Sequence, residues 1–436
     1  MDFCSVLWAI PFLGIIFSMS FVPLIAPKFW HKYSDATPFF WTALYLVGVC
    51  CVFGLRQTVI ATVEPIASDY ISFVVQIATL YIISGGIYMN FPRGQGPIFN
   101  VTLLFIGSVL AGWIGTTGAA TLLIRPFLRA NAKRKHKTHL MVFFIFLIAN
   151  IGGAATPLGD PPLFIGFLNG IDFFWFIKHL YPVLFGTIFA LCTIFFIVDL
   201  ILFKKDTGNY FVKRDDAIFE IKGYRNLFFL IVVLFTVILC NFDGGFYIGG
   251  EFFHYSSLLR NFILIAVSFI SIKTTPKIIR EQNDFSYAPI IEIATLFVGI
   301  FITVTPIIHI LHKGTEGSLA FIFNSITDNG EFILSRCFWI SGLLSSILDN
   351  APTFLIIFHL ASGDAQVLMN AKASLLMSFS ISTVFMGALT YIGNAPNLMV
   401  RSISQSFGVK VPSFLGYMVW SVGILIPLFF IISKFL

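Results

Sequence analysis

The chain has 436 residues, of which 57% are hydrophobic, 17% aromatic and 11% charged, with 27 Lys and Arg against 21 Asp and Glu for a formal charge of +6. Soluble globular chains carry about 25% charged residues, so this chain has too few polar groups to cover a water-facing surface, and its mean hydropathy of +0.91 agrees. The composition excludes a two-domain soluble enzyme, a disordered chain and a nucleic-acid binder, and it predicts an all-α polytopic membrane protein in contact with the lipid bilayer.

A spanning helix needs about 20 mostly apolar residues. Runs of this kind fall at 5–26, 38–55, 71–90, 183–203, 226–245, 258–272, 287–311 and 412–434. The first has no basic residue ahead of it, is long enough to span and is followed by Lys28 and Lys32, so it reads as a span and not as a cleaved signal peptide. Between these runs lie two pairs of segments too short or too broken for ordinary spans: 98–130 with 138–169, and 333–361 with 371–405. Cys4, Cys50, Cys51, Cys192, Cys240 and Cys337 sit in or beside apolar runs without metal or disulfide spacing, and read as small buried apolar residues. His309, His312 and His359 share no ligand spacing either, so no metal is expected beyond a transported cation.

The two broken pairs are related. Residues 153–162, Gly-Ala-Ala-Thr-Pro-Leu-Gly-Asp-Pro-Pro, align without a gap on 387–396, Gly-Ala-Leu-Thr-Tyr-Ile-Gly-Asn-Ala-Pro, at an offset of 234 with five of ten positions identical. The same offset places Gly115-Thr116-Thr117-Gly118 on Asp349-Asn350-Ala351-Pro352. One offset relating two separate breaks predicts an internal repeat, a common transporter architecture.

Loop charge gives the relative orientation. The connection 125–137 carries Arg125, Arg129, Lys133, Arg134, Lys135 and Lys137 with no acid, which predicts a cytoplasmic position. Its equivalent, 361–370, carries no Lys or Arg and one acid, Asp364, and is expected outside. The basic loops 204–225 and 273–284 fall on the cytoplasmic side in the same count, and Arg125 reads as part of that charge belt, snorkelling from the hairpin end. The predicted fold therefore has two inverted-topology repeats, 1–203 and 226–436, joined by a cytoplasmic linker 204–225. It contains about 10–11 transmembrane helices, including re-entrant hairpins at 98–130 and 333–361 and discontinuous helices at 138–169 and 371–405.

Non-helical backbone at membrane depth survives only where protein buries it or water reaches it, so the four breaks are expected to meet at a site. Asn150, Thr156, Asp160, Ser345, Ser346, Asp349, Asn350, Thr353, Thr390, Asn394 and Asn397 cluster around them. Their hydroxyls, amides and carboxylates are hard oxygen ligands suited to a small cation such as Na⁺. Asp160 and Asp349 are the decisive pair, because an ionisable group inside a membrane marks by default an ion pathway or proton relay. A group that holds either a proton or a cation is a minimal exchanger. Both aspartates also sit just ahead of prolines and could instead cap the half-helices that follow. For Thr116 and Thr117, hairpin-tip bonding to backbone competes with substrate contact. Glu292, in an apolar context, is either a proton-path residue or an interfacial one, whereas Glu64 and Asp69 lie in a polar stretch expected to be solvated.

The chain has no Walker A loop, no His-Glu-x-x-His, no Gly-x-Ser-x-Gly and no cofactor fingerprint, which leaves secondary transport without a cofactor and not an enzyme. The segments 150–162, 348–353 and 393–397 resemble the ion transporter superfamily, in particular NhaD-type sodium/proton antiporters and a related branch labelled citrate transport. The resemblance implies a bundle of inverted repeats, frequently a homodimer, moving substrate by alternating access. It also implies that Asn150, Asp160, Asp349, Asn350 and Asn394 bind or exchange cations. The antiporters tend to carry an Asp-Asn pair in the first hairpin, where this chain has Gly115-Thr116-Thr117-Gly118.

The leading expectation is a sodium/proton antiporter of the cell (inner) membrane. The alternative is a citrate or dicarboxylate transporter coupled to a cation, disfavoured because no Arg or Lys lies in the four breaks. A channel or scaffold would leave the two carboxylates without a task.

Overall fold

The computed structural model describes residues 5–34, 36–207, 219–240, 242, 244–248, 251–312, 320–328 and 330–436, and Cys4 lies outside them. The first half is built from α1 (Ile10–Ile25), α2 (Pro27–Tyr33), α3 (Ala36–Phe53), α4 (Leu55–Pro65), α5 (Ile71–Ser84), α6 (Pro97–Ile114), α7 (Thr116–Ala130), α8 (Thr138–Leu147), α9 (Pro161–Leu168) and α10 (Trp175–Thr207). The second runs through α11 (Arg225–Leu239), α12 (Tyr255–Thr274), α13 (Lys277–Gln282), α14 (Ala288–Thr303), α15 (Thr305–His312) and α16 (Ala320–Ile326). It ends with α17 (Leu334–Leu348), α18 (Asn350–Ala361), α19 (Ala365–Asn370), α20 (Ala373–Met386), α21 (Ala395–Ser406) and α22 (Phe414–Ile432). Among the described residues the strands that accompany them form two-stranded antiparallel pairs.

This is an all-α polytopic membrane protein. Among the described residues eight helical stretches are long and apolar enough to cross a bilayer, and the shorter apolar helices α5, α11, α17, α18 and α20 complete the bundle. Outer helices turn large apolar side chains outward, with Phe189 71% and Val419 74% exposed, as a lipid-facing surface requires. The broken segments lie innermost: α8 is buried from His139 to Leu147, and α20 is buried along most of its length. The polar stretch ahead of residue 71 forms α4, a helix that the sequence reading left as a solvated segment.

Both expected hairpins and both discontinuous helices are present. The first hairpin turns at Gly115 between α6 and α7, and the second at Asp349 between α17 and α18. The first broken helix passes from α8 through a 3-10 turn at Ile151–Ala155 to α9, and the second from α20 through Gly387–Leu389 to α21. Backbone geometry repeats at the offset of 234: Gly115 (φ 83°, ψ 146°) matches Asp349 (φ 80°, ψ 153°), and Asp160 (φ −141°, ψ 146°) matches Asn394 (φ −154°, ψ 135°). Hydrogen bonds repeat too. Thr156 Oγ1 donates to the Gly112 carbonyl, and Thr390 Oγ1 donates to that of Ser346, 44 residues away in each case. Packing is reciprocal, with α7 against α21 and α18 against α9, as halves related by a pseudo-two-fold require.

The helix α10 fixes the ends of the molecule. At 33 residues it is about 50 Å long. Near its start, Trp175 Nε1 donates to the Met369 carbonyl, in the connection 361–370. At its far end Asp206 meets Arg134 and His136, in the connection 125–137. The two equivalent connections therefore lie at opposite ends. Described parts of the other basic loops gather at the second of these ends: Arg125 pairs with Asp284 at 3.4 Å, and Tyr88–Asn90 pairs antiparallel with Glu220–Lys222.

A buried charge network fastens this end. Asp199, fully buried on α10, accepts from Arg134 Nη2 at 2.7 Å and from Asn100 Nδ2 at 2.8 Å, and pairs with His139 Nε2 at 2.8 Å. Arg134 also reaches Asp206 at 3.0 Å and stacks over Phe203. Each carboxylate thus has a cationic partner, the condition under which buried charge is tolerated.

Candidate functional site

The four half-helices α7, α9, α18 and α21 begin at the four breaks, and their N-terminal residues surround one cavity of about 40 Å³. That space holds a few waters or a small ion. The free N–H groups and aligned dipoles of helix starts make such a place electropositive. Asp160 and Asp349, 2% and 3% exposed, line it together with Thr116, Thr117 and Asn394. No Lys, Arg or His lines it.

Asp160 is held by neutral donors alone. Its Oδ1 accepts from Thr116 Oγ1 at 2.8 Å and Asn394 Nδ2 at 3.1 Å, and its Oδ2 accepts from Asn350 Nδ2 at 2.7 Å. These partners follow from the internal symmetry: Asn394 is the repeat equivalent of Asp160, and Thr116 and Asn350 are equivalents of each other. The carboxylate therefore sits where the two halves meet. It makes no capping bond to the helix it precedes, so the simple capping role expected from Asp160-Pro161-Pro162 is absent.

Asp349 differs. Its carboxylate has no side-chain donor and meets backbone N–H groups, accepting a long 3.5 Å bond from that of Ala351, a weak cap. Its φ of 80° with ψ of 153° lies in a backbone region that belongs almost wholly to glycine, and its repeat equivalent is Gly115. An aspartate held in a glycine conformation costs stability, and the surrounding hairpin must over-determine it. Each half thus supplies one carboxylate, the first from its broken helix and the second from its hairpin tip.

The remaining candidates support this arrangement from outside the cavity. Asn150 Nδ2 donates to Asn397 Oδ1 at 2.7 Å and to the Ile145 carbonyl, and Asn150 Oδ1 accepts from Asn394. Asn397 Nδ2 donates to the carbonyls of Gly387 and Thr390. A Cβ at Gly387 would collide with the Asn350 and Asn150 amide oxygens, so glycine there admits the cross-repeat amides. Ser345 Oγ donates to Asn350 Oδ1 at 2.7 Å and orients that amide toward Asp160. Thr156 and Thr390 tie the breaks to the hairpins, while Ser346 and Thr353 bond to backbone carbonyls of their own hairpin. Glu292 is exposed and does not line the cavity, although Ile293 and Phe297 of the same helix do. Among the described residues no group of three or more His, Cys, Asp or Glu could hold a metal ion.

One lining residue was not singled out in the sequence. Gln76, on α5, is 2% exposed, and neither of its amide atoms has a hydrogen-bond partner. The signal was a lone amide within the apolar run Ile71–Ser84.

The chain is similar to a "46 kDa membrane protein" of Mycobacterium leprae (strain TN), 24% identical over 339 residues that cover 73% of this chain and 72% of that protein. A family model described as "Putative citrate transport" matches residues 2–436. The chain, a multi-pass membrane protein built around the carboxylate cavity, belongs to that transport family.

Proposed function

We propose that the chain is a secondary active transporter of the cell (inner) membrane, with two inverted halves, that exchanges Na⁺ for H⁺ at Asp160 and Asp349. The observation that carries this reading is a pair of buried carboxylates sharing a small cavity lined by no basic side chain. An uncompensated carboxylate buried in this way has two means of relief, a proton or a cation. Helix N-termini lower the cost of the empty state, so release stays accessible. Protons entering down their gradient compete for the same oxygens and release Na⁺ outward. Apparent Na⁺ affinity therefore falls as pH falls.

A second reading is cation-coupled citrate transport. The family description favours it, as do the four helix N-termini around the cavity, which suit an anion. The cavity of about 40 Å³ fits an ion and not a tricarboxylate, so this reading needs a wider conformation.

A pH-gradient dequenching assay in inside-out vesicles separates the two. Na⁺ or Li⁺ should collapse the gradient in the wild type and fail to do so in Asp160→Asn and Asp349→Asn. Uptake of labelled citrate that depends on Na⁺ or a divalent ion, with no gradient collapse by any cation alone, would replace exchange with citrate transport.

A further inference from the structure

The cavity has two kinds of wall. One consists of the half-helix N-termini that bring Asp160, Asp349, Thr116 and Asn394. The other comes from α5 and α14, which contribute Gln76, Ile77, Leu80, Ile293 and Phe297. Gln76 is the single polar side chain on that second wall. Buried amides elsewhere in the site are bonded: Asn150, Asn350, Asn394 and Asn397 each donate to a named oxygen. Among the described residues Gln76 is the one buried amide with neither its nitrogen nor its oxygen partnered. A buried amide left unsatisfied forfeits its hydration without return, and such exceptions call for an explanation. A ligand in the cavity supplies one.

We propose that Gln76 is a direct ligand of the transported cation, its Oε1 completing from the α5 wall the coordination that Asp160 and Asp349 begin. The inference rests on cation exchange as the function and assigns that site a further residue. An amide oxygen is a neutral hard ligand suited to Na⁺ or Li⁺. Unlike a carboxylate, it does not titrate. Gln76 therefore contributes to cation binding and not to proton binding, which gives it a signature that neither aspartate shares. Since α5 packs along α12 and α11, a cation bound by both Gln76 and Asp349 also bridges the surrounding bundle and the half-helices.

The test uses the full chain reconstituted in proteoliposomes, as wild type, Gln76→Leu, Gln76→Glu and Asp160→Asn. The readouts are half-saturating Na⁺ and Li⁺, the proton-competition midpoint taken as the pH at which half-saturating Na⁺ is twice its high-pH value, and melting temperature with and without Na⁺. The expected result for Gln76→Leu is a half-saturating Na⁺ about 10- to 100-fold higher, the range seen when a group supporting a bound ion is lost. Its proton-competition midpoint should stay at the wild-type value. In Na⁺-free buffer it should melt at or above the wild-type temperature, because the amide it removes has no partner. Gln76→Glu, which keeps an oxygen and adds charge, should recover Na⁺ affinity and shift the proton-competition midpoint. Unchanged Na⁺ half-saturation in Gln76→Leu, or lowered melting in Na⁺-free buffer with a proportionate loss of rate alone, would overturn the assignment and leave exchange standing. A wild type that responds to neither Na⁺ nor Li⁺ at any pH would overturn both.

Discussion

Two groups of buried carboxylates stand in this molecule in opposite electrostatic circumstances. Asp199 is met by the Arg134 guanidinium and the His139 ring, and Asp206 by Arg134 and His136. Asp160 has only a hydroxyl and two amides, and Asp349 only backbone N–H groups. All four side chains are buried or nearly so, and all four are aspartates in or beside apolar helices. The difference lies in what completes each charge: a compensated carboxylate clamps one end of the bundle, whereas an uncompensated one at a cavity remains open to an exchangeable partner. Burial of an acid in a membrane protein does not by itself mark function. The absence of a fixed cation beside it does.

The largest structural effect is expected at Asp199→Ala, which leaves His139 without its carboxylate and Arg134 with Asp206 alone, and should cost about 3–5 kcal/mol. Thermal unfolding in detergent would register it as a large fall in melting temperature. Transport per correctly folded molecule should be retained.

Asp349→Gly pulls in the opposite direction. It restores the residue that the first repeat carries at Gly115 and relieves a backbone strain of about 1–3 kcal/mol, so the protein should melt higher while cation exchange disappears. A lower melting temperature would show that the φ of 80° is not strained in this context. Asn150→Ala removes the amide linking Asn394, Asn397 and the Ile145 carbonyl, with an expected loss of about 1–3 kcal/mol. Exchange should weaken without being abolished, as read from the initial rate at saturating Na⁺. The smallest effect belongs to Glu292→Gln. Its side chain is exposed and outside the cavity, so rate and pH profile should both match the wild type.

Much of this arrangement was legible in the sequence because membranes restrict the options. Backbone cannot break in lipid, so the motif Gly153–Pro162 and its shadow at Gly387–Pro396 had to be a protected site, and the offset of 234 identified Thr116, Asp160, Asp349 and Asn394 together. The breaks lie between α6 and α7, α8 and α9, α17 and α18, and α20 and α21. Other features were hidden for physical reasons. Asp199 sits in an apolar run that reads as an ordinary span, and its partners Arg134 and His139 lie some 60 residues earlier, where the positive charge reads as loop polarity. Gln76 looks in sequence like any amide satisfied inside a helix bundle, and only its unpartnered amide separates it from Asn226, whose nitrogen donates to Gly86 and Thr275 and whose oxygen accepts from Ser271. Glu292 reads in sequence as either a proton-path residue or an interfacial one. Its apolar neighbours mark a lipid-facing helix, one face of which reaches the cavity while Glu292 lies on another.

The most direct measurement pairs Asp160→Asn with Asp199→Asn and reads both melting temperature and Na⁺-driven collapse of a pH gradient in the same vesicles. Asp160→Asn should abolish the Na⁺ response while losing less in melting temperature than Asp199→Asn, because it gives up hydrogen bonds from neutral donors and strands no cation. Asp199→Asn should melt far lower while the surviving protein still responds to Na⁺. A Na⁺ response retained by Asp160→Asn, or lost by folded Asp199→Asn, would contradict the separation of a binding carboxylate from a structural one.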